Sequence, residues 1–227
     1  MPAASTAPIT VTYYLEILSS WCLWAQPAWE EVQERFAGRV QFEWRIALMS
    51  PEAFPTSRAQ CDWFYQRSGL LVASPFKLHS GWWEAERAGH YEAPNWVAEA
   101  GRDLLPPGDE RIRLALARAA MLEGQKIGDL TTAAHIAAGA TGLDADTLAT
   151  AARSPAVQQR VAQSTATFRA HQIDQRPTFI VESSIGDKAV FAGLWQAAPL
   201  IAVLEQQLSD AARYASHAAH FGAPPVS

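Results

Sequence analysis

Residues 9–36 read ITVTYYLEILSSWCLWAQPAWEEVQERF, and the change of pattern within this stretch decides the fold. Ile9 to Leu18 is β-branched and aromatic, as a buried strand is. Ser19-Ser20-Trp21-Cys22 is its exit. Trp24, Ala28, Val32 and Phe36 then recur at helical spacing, with Glu30 and Glu31 near the positive end of the helix dipole and Gly38 as a stop. Pro27 falls inside this pattern and removes a backbone hydrogen bond, so the helix is expected to kink there or to begin in earnest near Gln26. Val40 to Met49 (VQFEWRIALM) alternates again, with Val40, Phe42, Trp44 and Ile46 on one face. Strand, helix, strand makes a βαβ unit.

Strand signals return only at Thr178 to Glu182 (TFIVE) and Lys188 to Phe191 (KAVF), joined by the turn-forming Ser183 to Asp187. Between the two strand-bearing ends the spacing predicts helices at Arg58 to Ser68, Gly81 to Gly89, Pro94 to Ala100 and Glu110 to Glu123. Leu130 to Ala138, Asp144 to Ala152 and Pro155 to Gln172 continue the helical block, with Asp144 a natural cap and Pro155 a good first-turn residue. Gln196 to Tyr214 is a closing amphipathic helix, and the tail from His217 ends in a Pro-Pro that resists packing. The order is βαβ, a long helical block, then ββα. It predicts an α/β fold whose sheet domain comprises residues 1–50 and 173–214, a helical insertion at 51–172, and a tail at 215–227.

Composition narrows the function. A chain of 227 residues that is 49% hydrophobic can bury a real core, and nine Trp either fill it or line an apolar pocket. A net charge of -5 with no Lys/Arg run leaves no footprint for nucleic acid or an anionic membrane. No run approaches the roughly eighteen apolar residues of a membrane span, and Met1 to Thr10 lacks the pattern of a signal peptide. A cytoplasmic location is the expectation. The two cysteines, Cys22 and Cys61, are too few for a disulfide scaffold, so cysteine here is chemical or incidental. The histidines, including His217 and His220, lack companions for a metal set, and no metal is expected.

Two short segments carry candidate chemistry. Cys22 stands between a strand end and a helix start, where unpaired N–H groups and the helix dipole favour a thiolate and lower its pKa. In Arg176-Pro177-Thr178-Phe179-Ile180-Val181 a proline marks a strand entrance. Taken in order with Trp44 to Leu48, Ala115 to Gly124, Gly142-Leu143-Asp144 and Ala189 to Gly193, these segments resemble the DsbA-like thioredoxin family over nearly the whole chain. The resemblance implies a thioredoxin fold with a helical insertion, and a cis Pro177 that faces Cys22.

The chain departs from the family where function is decided. A redox-active member has Cys-x-x-Cys at this helix; here the second position is Ala25, giving Cys-x-x-Ala. The family's acidic residue shortly before the motif is replaced, by Ser19. Without a neighbouring resolving thiol, release of a mixed disulfide needs an external one, and Cys61 is read as an unrelated packed cysteine. The leading expectation is a single-cysteine thiol enzyme: Cys22 attacks, and glutathione completes turnover as a cosubstrate rather than a tightly bound cofactor. Trp21 and Trp24 would flank the sulfur, the backbone beside Pro177 would bind the peptide or thiol portion by edge pairing, and Arg176 would attract a carboxylate, with Ser20, Ala25 and Thr178 completing the substrate- or thiol-binding set. The alternative follows the related glutathione-dependent isomerases and kappa-class glutathione transferases, with a hydrophobic or aromatic substrate in an aromatic cavity. A third reading is a non-catalytic binding module. A homodimer is compatible with all three.

Overall fold

The computed structural model describes residues 7–87 and 89–222. Its sheet has four strands, β1 (Ile9–Leu15), β2 (Gln41–Ile46), β3 (Thr178–Ser183) and β4 (Lys188–Ala192), in the order β2-β1-β3-β4. β1 and β2 are parallel, with Val11 opposite Phe42, and require the crossover helix α1 (Ser20–Arg35). β1 and β3 are antiparallel, with Tyr13 opposite Phe179. β3 and β4 form the hairpin, turning at Gly186 with φ 98°. The central strands carry the most buried side chains, because both their faces are covered: α1 and the final helix α8 (Ala197–Phe221) pack on one another against one face, while Phe168 packs on Tyr14 and Ile180 of the other.

The insertion is all helical: α2 (Arg58–Leu71), α3 (Glu92–Leu104), α4 (Arg111–Met121), α5 (Leu130–Thr141), α6 (Ala145–Arg153) and α7 (Pro155–Ala170). Ser57, Asp129, Asp144 and Ser154 cap α2, α5, α6 and α7 by accepting from the amide three residues on. The insertion also completes the sheet. Ser164 Oγ donates to the Ile46 carbonyl at 2.6 Å, and Thr165 Oγ1 accepts from Leu48 N at 3.0 Å, so α7 satisfies backbone that β2 leaves open at its end. One hydrophobic cluster runs from Ile9 through Trp29, Leu116 and Leu148 to Leu204.

The predicted order of elements holds, with three differences. Among the described residues of 81–89 there is no α-helix, only a short 3-10 turn at Ala85–Arg87. The reason is tertiary: a Cβ on Gly81 would overlap the Gly124 carbonyl oxygen, and His79 N donates to Met121 O at 2.8 Å, so this segment is laid against the end of α4 as a strap. The first two strands are shorter than the apolar runs, ending at Leu15 and Ile46. The closing helix continues past Tyr214 to Phe221, carrying His217 and His220 against the Phe221 ring; the Pro-Pro lies outside the described residues. No helix among them is long and apolar enough to cross a membrane, and no group of three metal-ligating side chains occurs.

Candidate functional site

Helix α1 starts at once after the strand exit. Ser19 is its cap, with φ -81° and ψ 115°, and the Ser19 hydroxyl accepts from Cys22 N at 3.4 Å. Pro27 neither delays nor ends the helix, which continues to Arg35 around it. This settles the geometry of the motif. Cys22 lies inside the first turn and Ser19 stands at the mouth, three residues before it, while Ala25 is a full turn deeper and wholly buried in the core. Beside Cys22 at the helix mouth stands Ser19, itself buried and lining a cavity, whereas Ala25 reaches no opening.

Cys22 is 6% exposed, and burial pushes its thiol up, against the downward pulls of the Ser19 hydroxyl, the Glu16 backbone and the Tyr13 hydroxyl. The lowering expected from the helix start alone is thus outweighed by desolvation. The Tyr13 hydroxyl donates to the Cys22 carbonyl at 3.0 Å, its ring stacked on Phe179 with centroids 4.6 Å apart.

The acid thought to be missing is present at Glu16. Its side chain is 1% exposed and shares a water-sized pocket of 20 Å³ with Cys22, Tyr13, Gln26 and Arg113. Burial raises the carboxyl to about 7, although Asn95 Nδ2 donates to Oε1 at 2.5 Å, Met49 N donates to Oε2 at 3.2 Å, and the Arg176 charge favours the anion. Asn95 is held in turn by accepting from Ile17 N at 3.3 Å. Sequence reasoning passed over Glu16, yet its signal was there: one carboxylate in the otherwise apolar run YYLEIL.

Arg176 does not reach outward. Its guanidinium donates to the carbonyls of Ala47, Leu48 and Asp174, and its cation lies 4.7 Å from the centre of the Phe168 ring. It acts electrostatically instead, within range of both Glu16 and Cys22 and favouring the anion of each. The Arg176–Pro177 peptide bond is cis. Pro177 O accepts from Gly193 N at 2.7 Å, and Thr178 is paired on both sides in the sheet, so pairing with an added chain falls to the peptide units before Pro177.

The tryptophans divide. Trp21 joins Ser19 and Ser20 in a 190 Å³ cavity walled by Met49, Phe54 and Trp82. Trp24 turns to a separate, open groove of 570 Å³ with Phe76 and Trp195, so it does not flank the same opening. Cys61 is fully buried beside Tyr65, its thiol pushed up to about 12 chiefly by burial, and both cysteines are free.

The family described as DSBA-like thioredoxin domain matches residues 107–209, which cover the insertion's later helices, the hairpin and most of α8 but not Cys22. No curated protein matches the sequence. A candidate protein disulfide isomerase from Nitrosomonas europaea is 17% identical with a TM-score of 0.71, covering 89% of this chain and 98% of its own. The cytosolic disulfide reductase DsbM from Pseudomonas aeruginosa is 19% identical with a TM-score of 0.66, covering 88% and 98%, and has also been solved with GSH. DsbA from Pseudomonas aeruginosa is 14% identical with a TM-score of 0.59, covering 95% and 90%. The fold is the thioredoxin-like DsbA fold, with a mixed four-stranded sheet and a helical insertion.

Proposed function

We propose that this chain is a thiol–disulfide oxidoreductase of the single-cysteine type, working in the cytoplasm with an external low-molecular-weight thiol, for which glutathione is the candidate. The observation that carries the reading is the pocket in which Glu16, titrating near 7, meets the buried Cys22. Two anions in one pocket repel, so only one of the pair is charged at a time, and with the thiol raised above its ordinary value the carboxylate is the readier anion and the thiolate forms uphill. Glu16 takes the Cys22 proton, and the Arg176 cation steadies whichever anion results. The Cys22 thiolate attacks one sulfur of a disulfide RSSR′, forming Cys22–S–S–R and releasing R′S⁻, which leaves with a proton. A second thiolate, from glutathione, then attacks the R sulfur, reforming the Cys22 thiolate and making the disulfide of R with glutathione. The names of the DsbM and disulfide isomerase relatives are in keeping with this chemistry.

Ser19 favours a second reading. Its hydroxyl opens on the 190 Å³ cavity that Cys22 does not line, so a thiol bound there meets Ser19 first. In that case glutathione is itself the nucleophile, Ser19 steadies its thiolate by hydrogen bonding, and the reaction is an isomerisation or transfer on an organic substrate.

Glutathione-dependent reduction of a small mixed disulfide, measured for Cys22→Ala, Ser19→Ala and Cys61→Ser, separates the readings. Loss of turnover by 100-fold or more in Cys22→Ala, a smaller reduction in Ser19→Ala, whose hydroxyl caps α1 and favours the thiolate, and Cys61→Ser near wild type is the expected result. Turnover retained in Cys22→Ala and lost in Ser19→Ala transfers the role to the bound thiol. Turnover absent from wild type, on disulfides and on aromatic electrophiles alike, leaves a binding module.

A further inference from the structure

The two edges of the sheet are finished differently. On β2 the insertion closes the outward backbone: Arg102 Nη1 donates to Trp44 O at 3.2 Å, Ser164 Oγ donates to Ile46 O at 2.6 Å, and Thr165 Oγ1 accepts from Leu48 N at 3.0 Å. On β4, Ser183 N donates to Asp187 O at 2.9 Å and Gly193 N donates to Pro177 O at 2.7 Å, so the alternate residues Asp187, Ala189, Phe191 and Gly193 turn their backbone groups to β3. Lys188, Val190 and Ala192 therefore turn theirs outward, and among the described residues no side chain or loop pairs with them. The usual protections of an edge are thin here. The register with β3 runs unbroken from Lys188 to Ala192, with no bulge and no proline. The one charge, Lys188, is neutralised by Glu182 at 3.1 Å. Val190, in the middle, is 44% exposed, while Ala189 and Phe191 on the opposite face pack against the core.

We propose that this edge is where a second copy of the chain adds, β4 against β4, antiparallel about a two-fold axis at Val190. The strand is self-complementary in that register. Val190 presents both its N–H and its C=O outward, so it exchanges both bonds with Val190 of the second copy, and the two exposed side chains cover one another. Lys188 then faces Ala192 of the other copy, and no like charges meet. An axis at Lys188 would set two ammonium groups opposite each other, and one at Ala192 would leave most of the strand unpaired. The pairing joins two four-stranded sheets into one and removes an open edge from each. A strand of 5 residues offers less surface than a standard interface, so the dimer is weak, with a Kd in the micromolar rather than the nanomolar range. The pairing is independent of the thiol chemistry proposed above.

Sedimentation equilibrium of the full chain from about 1 to 200 μM covers the range in which a pairing of this size dissociates. A reductant keeps both cysteines as thiols, so that no intermolecular disulfide contributes. The expected result is a reversible monomer–dimer equilibrium within that range. Val190→Pro removes an outward N–H and none of the bonds to β3, so its circular dichroism matches wild type while association weakens by about 100-fold or more. Val190→Lys keeps every backbone donor and sets like charges across the axis; it weakens association by about tenfold, more at low salt than at high. Should the proline variant fail to fold, the lysine variant decides. A wild type that is monomeric throughout would overturn the proposal and leave the edge to another chain. A dimer that folded Val190→Pro retains, or that Val190→Lys retains at low salt, would also overturn it, placing the interface elsewhere. None of these outcomes bears on the Cys22 assay.

Discussion

Glu16 shares a pocket with Cys22, and the burial that raises its carboxyl is readable as a stability profile. A carboxyl raised from its ordinary value of 4.5 to about 7 keeps its proton in the folded chain over a range where the unfolded chain has lost it. Below 4.5 both states are protonated and there is no cost. Between 4.5 and 7 the folded state binds more protons than the unfolded one, so stability falls as pH rises, by about 3 kcal/mol in all, and is level above 7. Glu16→Gln removes the charge and keeps one of the two accepted hydrogen bonds, since its amide nitrogen cannot accept from Met49 N or Asn95 Nδ2. Denaturant melts from pH 4.5 to 7.5 should therefore show a decline about 3 kcal/mol smaller in Glu16→Gln than in wild type. An identical decline would mean that Glu16 ionises freely and is no proton acceptor for Cys22. The sequence showed Cys22 and the acid as letters, but whether the thiol is activated depends on burial, which no local pattern records.

At the scale of elements, the starts of α6 and α7 were legible because Asp144 and Pro155 act locally, Asp144 accepting from an amide three residues on. Ser19 and Ser154 cap in the same way but were not read as caps. Pro27 shows the limit of the same logic. It interrupts one hydrogen bond, while Trp24, Ala28, Trp29 and Val32 around it are all buried, and the packing of that face keeps the helix continuous. The segment 81–89 errs the other way, since its helical spacing yields to a close approach of Gly81 and Gly124 backbones. Gly81→Ala, mild in a helix, should here cost at least about 2 kcal/mol in chemical denaturation, because a methyl group must displace backbone rather than a side chain. A neutral effect would show that the strap is free to move.

Across the whole molecule, sheet and insertion share one core. Trp29 of α1 is fully buried, donates from Nε1 to Glu110 at the start of α4 at 2.8 Å, and sits against Tyr13 and Phe42 of the sheet. Trp29→Ala should cost about 4 kcal/mol and lower the transition of sheet and insertion together. Two separate transitions, one unchanged, would show that the insertion is stable alone. What the sequence by itself determined is what short-range physics sets: the alternation of strands, the 3.6-residue period of helices, the caps, and the order βαβ, helices, ββα that closes one sheet from two distant ends. Only the tertiary structure decided the site. Glu16, Asn95, Arg113 and Arg176 come from widely separated parts of the chain, and desolvation there raises the Cys22 thiol that a helix terminus alone would lower. The packing around ILSSWC put Ser19 on one cavity and made Cys22, in another, a buried thiol with an acid for company.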